Sequence, residues 1–507
     1  MCGISAIISV AITDIDARAE EKRKSELLMM LEKIRHRGEP ERFGESWFAP
    51  GVALGTNRLA IVDPDHGRQP SVDLHGRIAV ICNGEIYGFA KLRDQLRDHG
   101  YVFHSATDTE VLVAAYLVWG QEMLNRIDGI FAFVLYDTQK HEFLAARDHF
   151  GVKPLYYTVR DEIYRFASEK KSLVGQGAEI CEVLPGTYVS NQGVDRYYEL
   201  PQNTSDISTA EAVSTYRKLF ENAVREQVNT DLPVAVMFSG GIDSGALLQT
   251  ALRFNRNVTA LTVGSQGSPD VEIAERYCSE NNIPHFVEYL DEEALIQSLP
   301  EVVRGSEFFE PINVMESAIS FFLFSLAKRR GFKIALTGEG SDEVLAGYDL
   351  FKTHENPVEL MKYRVGNLYQ ADLQRVDRAS MMNTVEARVP YLDRKLLEFC
   401  YALPMEFKLR GGVEKWVLRE AFRDSLPEYI ADRPKARMPD GAGLKGSLAE
   451  HARSPVRFDE AIVESLGIDS AEGIFFLNMY VEAGYPIPRR RTKRAGFDYS
   501  YEGSFIR

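Results

Sequence analysis

A polar segment near the middle of the chain separates two regions whose hydrophobic patterns differ. The segment, ELPQNTSDISTAE at positions 199–211, contains a proline and has no apolar periodicity, which is typical of a linker between domains. A chain of 507 residues is long enough for two or three domains, each with its own core. We therefore predict a first domain over residues 1–200 and a second over 209–507.

The first region consists of short apolar runs with turns between them. Runs such as 77–87 and 129–137 have the length and composition of strands, whereas 20–34 and 89–100 have the pattern of helices. The first run, at 4–12, resembles the core of a signal peptide, but no basic residue precedes it and two aspartates follow it. We interpret it as a strand buried on both faces and predict an α+β domain dominated by sheets.

The second region alternates strand and helix patterns. Apolar strand-like runs at 231–238, 257–264 and 331–338 are interleaved with helical patterns such as 245–254. Such alternation predicts an α/β doubly wound parallel sheet. The last hundred or so residues are mainly helical in pattern.

Composition excludes several classes of protein. A formal net charge of -15 argues against a general binder of nucleic acid or of anionic membranes. The basic run from Arg489 to Arg494 is the exception, and we interpret it as a solvated tail. The five cysteines are scattered without CxxC spacing, which indicates neither a disulfide framework nor a zinc site and favours a reducing cytoplasm; they are Cys2, Cys82, Cys181, Cys278 and Cys400.

The cysteine at position 2 is a candidate nucleophile. Removal of Met1 would place its thiol beside a free α-amine, whose usual pKa of about 7.7–8.0 lets it act as a general base near neutral pH. Downstream, Asn83 and the backbone N–H of Gly84 have the chemistry of an oxyanion hole. Arg58, Glu85 and Asp108 have the charges to bind a substrate with both a carboxylate and an ammonium group. The alternative is that these are turn residues and surface ion pairs.

The motifs of the first region resemble a known family. MCGI, IRHRG, NRLAIVD, CNGEIY, TDTEV and ARDHFGVKPLYY are similar to the glutaminase domain of class II glutamine amidotransferases, which have the N-terminal nucleophile fold, an α+β sandwich. The resemblance implies that Cys2 attacks the side-chain amide of glutamine and releases ammonia, with Asn83 and Gly84 as the oxyanion hole. It also implies a glutamine-binding set: Arg58, Leu59, Ala60, Ile61, Val62, Asn83, Gly84, Glu85 and Asp108.

A glycine-rich turn in the second region predicts a phosphate site. SGGIDS at 239–244 follows an apolar run and precedes a helical pattern, so backbone N–H groups and the hydroxyls of Ser239 and Ser244 are available to an anion. Asp243 suits such a site if Mg²⁺ bridges it to phosphate oxygens. The chain lacks the GxxxxGK[ST] pattern, which excludes a Walker A loop. The alternative is a structural turn.

A second motif crowds carboxylates into one turn. TGEGSDEVLAGY at 337–348 contains Glu339, Asp342 and Glu343, which would repel one another if unpaired. A metal ion bound by Asp342 would relieve this repulsion and leave Glu339 near a reacting carboxylate. The alternative is an acidic helix N-cap.

These two motifs, with LTVGSQGSPD, DRASMMNTVEARVPYLD and RPKARMPDGAG, resemble the synthetase domain of glutamine-dependent asparagine synthetases, an ATP-pyrophosphatase fold. The resemblance implies adenylation of a carboxylate by ATP with Mg²⁺, followed by attack of ammonia. L-glutamine, ATP and L-aspartate or a related carboxylate are the implied substrates, and a homodimer is implied by analogy. The implied ATP-binding residues are Phe238, Ser239, Gly240, Gly241, Asp243, Ser244, Val263, Thr337 and Gly338; the metal ligands are Asp243 and Asp342, and the catalytic residues Glu339 and Lys435.

The identity of the acceptor stays open at this stage. Many relatives have an arginine suited to the aspartate carboxylate where this chain has Met315. The acceptor is then another carboxylic acid, or Arg388 or another arginine supplies the contact. A β-lactam-synthetase type of ligase is a further alternative, but such relatives usually lack the N-terminal cysteine.

Overall fold

The computed structural model describes residues 2–10, 16–444 and 470–487, together with positions 463, 466 and 468. The run from Arg489 to Arg494, interpreted above as a tail, lies outside the described residues. The chain divides into two compact units, residues 1–200 and 201–507.

The first unit contains two antiparallel sheets. Its strands, as far as the chain is described, are β1 (Cys2–Ser9), β2 (Glu45–Ala49), β3 (Val52–Arg58), β4 (Ser71–Val72), β5 (Ile78–Ile86), β6 (Gly129–Asp137), β7 (Glu142–Arg147), β8 (Tyr156–Arg160), β9 (Ile163–Ala167), β10 (Cys181–Glu182), β11 (Thr187–Ser190) and β12 (Gly193–Arg196). Its α-helices are α1 (Ala17–Lys33), α2 (Phe89–Asp98) and α3 (Thr109–Trp119). The strand orders are β10-β8-β9-β1-β3-β2 and β12-β11-β7-β6-β5-β4.

The two sheets pack face to face with helices outside. Alternate residues of β1, from Cys2 to Ile8, pack against residues of β5, β6 and β7 such as Ile81 and Val134. Ile7, on the opposite face of β1, packs against Leu27 of α1, and α2 and α3 cover the outer face of the second sheet. Strand β1 is therefore buried on both faces as predicted, and the unit is a four-layer sandwich of the predicted N-terminal nucleophile type.

The second unit is built on a parallel sheet. Its strands are β13 (Val234–Met237), β14 (Val258–Gly264), β15 (His285–Tyr289), β16 (Ile334–Leu336) and β17 (Glu386–Arg388), with a hairpin of β18 (Leu409–Arg410) and β19 (Val413–Glu414). Its helices are α4 (Thr209–Gln227), α5 (Ile242–Phe254), α6 (Pro269–Glu280), α7 (Glu292–Ser306), α8 (Pro311–Arg329), α9 (Ser341–Val344), α10 (Leu350–Thr353), α11 (Pro357–Asn367), α12 (Asp372–Met382), α13 (Arg394–Ala402), α14 (Trp416–Phe422), α15 (Glu428–Ala431), α16 (Met438–Gly441) and α17 (Ala471–Glu482).

The strand order of this sheet places a crevice at its centre. The order is β15-β14-β13-β16-β17, and all of its pairs are parallel. From β13 the chain moves outwards to β14 and β15, and it later returns to the other side of β13 with β16. Such a reversal opens a ligand crevice at the carboxyl ends of the two central strands. The motifs at 239–244 and 337–348 follow β13 and β16, so both lie at this crevice.

The polar segment predicted as a linker is shorter than expected. Positions 201–208 have no helix or strand, but α4 begins at Thr209. The hydroxyl oxygen of Ser208 accepts the backbone N–H of Glu211 at 3.4 Å, which caps the helix. No helix in the described part of the chain is both long enough and apolar enough to cross a bilayer.

Candidate active sites

Cys2 is held at the first position of β1 by three neighbouring side chains. Its backbone N–H donates to Asn83 Oδ1 at 3.1 Å, and its carbonyl accepts from Arg37 Nε at 3.2 Å. Gln69 Nε2 lies 3.7 Å from its Sγ. The residue is only 4% exposed. The backbone nitrogen that removal of Met1 would convert to an α-amine is therefore already oriented by Asn83.

Asn83 and Gly84, the predicted oxyanion-hole residues, lie next to each other on β5, and Asn83 is hydrogen-bonded to the cysteine. Asn83 is fully buried, and its Nδ2 has no hydrogen-bond partner within the described residues. A buried donor without a partner lowers the stability of the fold. Such a donor suits an oxyanion hole, because it is available to a negatively charged oxygen of a bound substrate. Gly84 has φ +151, and a Cβ there would lie 2.0 Å from the carbonyl oxygen of Ile130, so only glycine fits.

Arg58 faces Cys2 across the sheet, since the two residues are directly paired between β1 and β3. Its guanidinium donates to the carbonyl oxygens of Val62 (3.2 Å) and Asp63 (3.0 Å). It thereby anchors the segment that contains the other predicted glutamine contacts, of which Leu59 and Ala60 are buried and Ile61 and Val62 are half-buried. Binding of glutamine by this segment stays a prediction.

Glu85 and Asp108 are both buried in the same unit. Asp108 Oδ2 accepts the backbone N–H of Ile86 at 2.9 Å, which ties the start of α3 to the end of β5. Gln69 accepts the backbone N–H of Cys82 at 2.7 Å through its Oε1. The sequence did not identify Gln69, because its place beside the Cys2 thiol arises only from the packing of the loop after β3.

The turn after β13 is preorganised. Gly240 has φ +70, and a Cβ there would lie 2.5 Å from Ile273 Cγ2. The backbone N–H of Ser239 donates to Ser244 Oγ at 3.2 Å, and the Ser244 hydroxyl donates to the Gly241 carbonyl at 3.2 Å. These bonds fix the start of α5 at the carboxyl end of the strand.

Two carboxylates from the first turns of separate helices share one lysine. Lys415 forms an ion pair with Asp243 of α5, and another at 2.7 Å with Asp342 of α9. Lys435 is 2.6 Å from the other oxygen of Asp342. Burial alone would raise the pKa of Asp342, but the two ammonium groups outweigh it and hold that pKa well below its usual value. Asp342 is therefore ionised.

Asp243, Asp342 and Lys435 line a cavity of 210 Å³. Gly240 and Gly241 form the turn beside it, and the other residues predicted for ATP, metal and catalysis in this unit all line it: Phe238, Ser239, Asp243, Ser244, Val263, Thr337, Gly338, Glu339, Asp342 and Lys435. Thr337 is 5% exposed and its hydroxyl has no partner in the described part of the chain. The fold thus brings together two motifs that are about a hundred positions apart.

An ionic cluster around a buried arginine lines the same cavity. Arg375 pairs with Glu316, with Glu339 at 2.9 Å and with Asp372 at 3.0 Å. We call these four residues the Arg375 cluster. Burial raises the pKa values of Glu316 and Glu339, and the guanidinium of Arg375 opposes this rise without cancelling it.

Comparison with known proteins assigns both units. A family model described as a glutamine amidotransferase domain matches residues 1–224, and one described as asparagine synthase matches 215–362 and 352–467. Asparagine synthetase [glutamine-hydrolyzing] 2 of Arabidopsis thaliana is 33% identical over 484 aligned positions, covering 90% of this chain and 82% of the relative. The chain belongs to the glutamine-hydrolysing asparagine synthetase family. The enzyme of that name from Asparagus officinalis is 31% identical, covering 96% of this chain and 86% of the relative.

Among solved structures, glutamine phosphoribosylpyrophosphate amidotransferase from B. subtilis covers 72% of this chain and 89% of its own. The TM-score is 0.32 and the identity 16%, a similarity too low to bear on function.

In this member of the asparagine synthetase family, the position of Met315 does not face the cavity. Met315 is buried on α8, whereas the next residue, Glu316, lines the cavity. Arg388, the other candidate contact, does not line the cavity either: it donates to Glu386 and to the Gln227 carbonyl, both at 2.6 Å. Among the described residues, Arg364, Arg375 and Arg437 line the cavity, and Arg375 is the one that pairs with Glu316 and Glu339.

Sequence analysis missed the charged residues that complete this site. Asp372 and Arg375 lie three positions apart at the start of α12, a spacing that places both on one helix face. That pattern is common on exposed helices and was not distinctive. Lys415 lies in a short turn before α14 and gives no local signal at all.

Proposed function

We propose that this protein makes asparagine from L-aspartate, ATP and the amide nitrogen of L-glutamine, and releases glutamate, AMP and pyrophosphate. The proposal is supported by one observation above all: each half of the family pattern has its own set of polar groups, one around Cys2 and one around the 210 Å³ cavity. We assign residues 1–200 to the glutaminase reaction and 209–507 to the synthetase reaction.

In the first reaction, the α-amine of Cys2 takes the thiol proton, and Sγ attacks the side-chain carbonyl carbon of glutamine. The negative charge on the carbonyl oxygen is stabilised by Asn83 Nδ2 and the backbone N–H of Gly84. The amine then returns the proton to the departing nitrogen, which leaves as ammonia. Water hydrolyses the thioester to glutamate. Glu85 and Asp108 bind the ammonium group of glutamine, and the segment of residues 58–62 binds its carboxylate.

In the second reaction, ATP binds where the turn after β13 meets the start of the 337–348 motif. Asp243 and Asp342 fit Mg²⁺, since this ion usually takes one or two protein carboxylates and obtains its remaining ligands from phosphates and water. Among the described residues, no group of three or more His, Cys, Asp or Glu side chains is arranged to hold a metal ion, which agrees with a site completed by the nucleotide. When bound, Mg²⁺ would neutralise phosphate charge.

The protein's own groups then act on the acceptor. The β-carboxylate of aspartate attacks the α-phosphorus, and the bond to pyrophosphate breaks, while Lys435 neutralises charge on the departing group. Ammonia attacks the acyl carbon of the adenylate and AMP leaves. Glu339, beside the reacting carboxylate, takes the proton that the attacking nitrogen loses.

Composition supports a cytoplasmic enzyme that acts on small molecules rather than on nucleic acid or membranes, since the net charge is -15 and all five cysteines are free. A homodimer follows only by analogy with the family.

The test is direct. The purified protein is incubated with L-glutamine, ATP, Mg²⁺ and L-aspartate, and the products are analysed by mass spectrometry. Asparagine formed together with AMP and pyrophosphate is the expected result. Glutamate without asparagine or AMP would contradict aspartate as the acceptor, and a screen of carboxylic acids for AMP release would follow.

A further inference from the structure

The Arg375 cluster occupies the part of the cavity where the acceptor must bind. Glu339 belongs to the cluster and directly follows Thr337 and Gly338, the predicted ATP contacts, which line the same cavity. An acceptor carboxylate that attacks the α-phosphorus must lie next to these residues. The rest of the acceptor then extends towards Arg375 and Glu316.

The guanidinium of Arg375 is already paired with carboxylates of the protein. Its Nη1 contacts Glu316 and Asp372, and its Nη2 contacts Glu339. Arg375 is only 5% exposed. A second carboxylate on the acceptor would therefore have to displace a protein carboxylate before it could bind this arginine.

The charges of the cluster favour a cation instead. The cluster has one guanidinium for three carboxyl groups, and the other charged residues of the cavity lining balance one another: Asp243, Asp270 and Asp342 against Arg364, Lys435 and Arg437. Carboxylates grouped in this way repel one another. An incoming ammonium would relieve this repulsion, whereas an incoming carboxylate would add to it. Two polar atoms at the cavity also lack partners among the described residues, Thr337 Oγ1 and Arg375 Nε, as expected of a site that a polar ligand completes.

Glu316 is the member of the cluster best placed to meet that ammonium. Asp372 is on the same helix as Arg375, and Glu339 adjoins the ATP contacts. Glu316 alone comes from α8, whose cavity-facing side is otherwise uncharged: Ile312, Asn313, Ile319, Ser320, Leu323 and Phe324.

We propose that Glu316 binds the ammonium group of an amino-acid acceptor and so selects that acceptor over the dicarboxylic acid without the amine. The proposal rests on the proposed synthetase reaction and names the class of its acceptor: an amino acid with a side-chain carboxylate. Arg375 is then a positioning residue that holds Glu316 and Glu339 in place.

The first test needs only the wild-type protein. AMP release is measured with ATP, Mg²⁺ and ammonium chloride, with either L-aspartate or succinate, which differ only in the amine. We expect kcat/KM for aspartate to exceed that for succinate by about 10-fold or more, the usual effect of one charge-assisted hydrogen bond. Equal use of the two acids would overturn the proposal, whatever any variant does.

The second test uses Glu316→Gln, which keeps the shape and removes the charge. We expect KM for aspartate to rise by about 10-fold or more, the preference over succinate to fall, and KM for ATP to stay unchanged. Glu310→Gln is the matched control, because Glu310 is the N-cap of the same helix, its side chain makes no capping hydrogen bond, and it does not line the cavity. If Glu316→Gln keeps the wild-type preference, Glu316 does not bind the amine; if it does not fold, Glu316→Asp is measured in its place.

Failure of the proposed function gives a different result. A wild-type protein that consumes glutamine but releases no AMP with aspartate would contradict asparagine synthesis. Each acceptor found by screening is then compared with its deaminated analogue. A preference for the amino acid supports Glu316 binding an amine, and no preference overturns it.

Discussion

Asn83 meets Cys2 through only one end of its amide: Oδ1 accepts the Cys2 N–H at 3.1 Å, while Nδ2 has no partner in the described part of the chain. The same side chain therefore holds the backbone nitrogen of Cys2 with its oxygen and keeps its own N–H groups without a partner among the described residues. An amide is the side-chain group that combines an acceptor and a donor in this way.

Replacing Asn83 by alanine removes this donor. We expect the glutaminase kcat to fall by about 10²–10³-fold, as for the loss of one oxyanion-hole donor, while AMP formation with ammonium chloride continues. Glutamate release from glutamine measures the first effect, and AMP release with ammonium chloride measures the second. Asn191→Ala, in the same unit but bonded only to the 141–143 hairpin, is the control. An unchanged glutaminase kcat in Asn83→Ala would contradict its role in the oxyanion hole.

Cys2→Ala tests the nucleophile. Glutamine should no longer serve as a nitrogen source, because the thiol forms the covalent intermediate. Asparagine formation from ammonium chloride should persist at the wild-type rate. Loss of both activities, with an unchanged circular dichroism spectrum, would show that the two reactions do not have separate sites.

Asp243→Asn tests the synthetase site and, in contrast to Cys2→Ala, should leave the glutaminase reaction intact. Loss of this charge removes a proposed Mg²⁺ ligand and one partner of Lys415, so we expect AMP formation to be abolished and glutamate release to continue. Pyrophosphate assays at rising Mg²⁺ give a second readout, since a weakened metal site requires more Mg²⁺. Normal AMP formation at low Mg²⁺ would exclude Asp243 as a ligand.

Because the pKa of Glu343 is raised in the folded protein, we expect the free energy of unfolding to depend on pH. Burial, with the nearby charges of Asp372 and Asp342, raises the pKa of Glu343 to about 8. Above its usual value near 4.5, the unfolded chain has lost a proton that the folded chain retains. The free energy of unfolding therefore falls as pH rises from about 4.5 to about 8, by at most about 1.4 kcal/mol per pH unit from this group.

Urea unfolding at several pH values measures this decline. Glu343→Gln should make the decline shallower, because glutamine does not titrate, whereas Glu428→Gln at an exposed position should leave it unchanged. The same slope in Glu343→Gln as in wild type would show that another group causes the decline.

The sequence predicted those features that depend on residues close together in the chain, such as strand β1 and the SGGIDS turn. Strand β1 has a continuous apolar run because a sheet covers one face and α1 the other. The SGGIDS motif was correctly placed between strand and helix, although α5 begins at Ile242 rather than at position 245, since Gly241 serves as its N-cap.

The rest of the site depends on contacts between distant segments. Lys415 reaches Asp243 across 172 positions, and Arg375 reaches Glu316 across 59. Neither lysine nor arginine carries a sequence signal for such a contact, because both are ordinary surface residues in most contexts. Only the fold shows which of them are buried against carboxylates.

If Mg²⁺ binds at Asp243 and Asp342 as proposed, the lysine that they share makes its binding an exchange of one cation for another. The ammonium group of Lys415 links the two helices and offsets part of the charge of the two carboxylates. The metal ion must then compete with the ammonium group of Lys415 for the two carboxylates. The affinity of the site for the ion would depend on how much better it binds these carboxylates than the lysine does. A nucleotide with a bound metal ion would supply the ion that replaces the lysine at the carboxylates. Its phosphates would supply the groups with which the displaced lysine could pair.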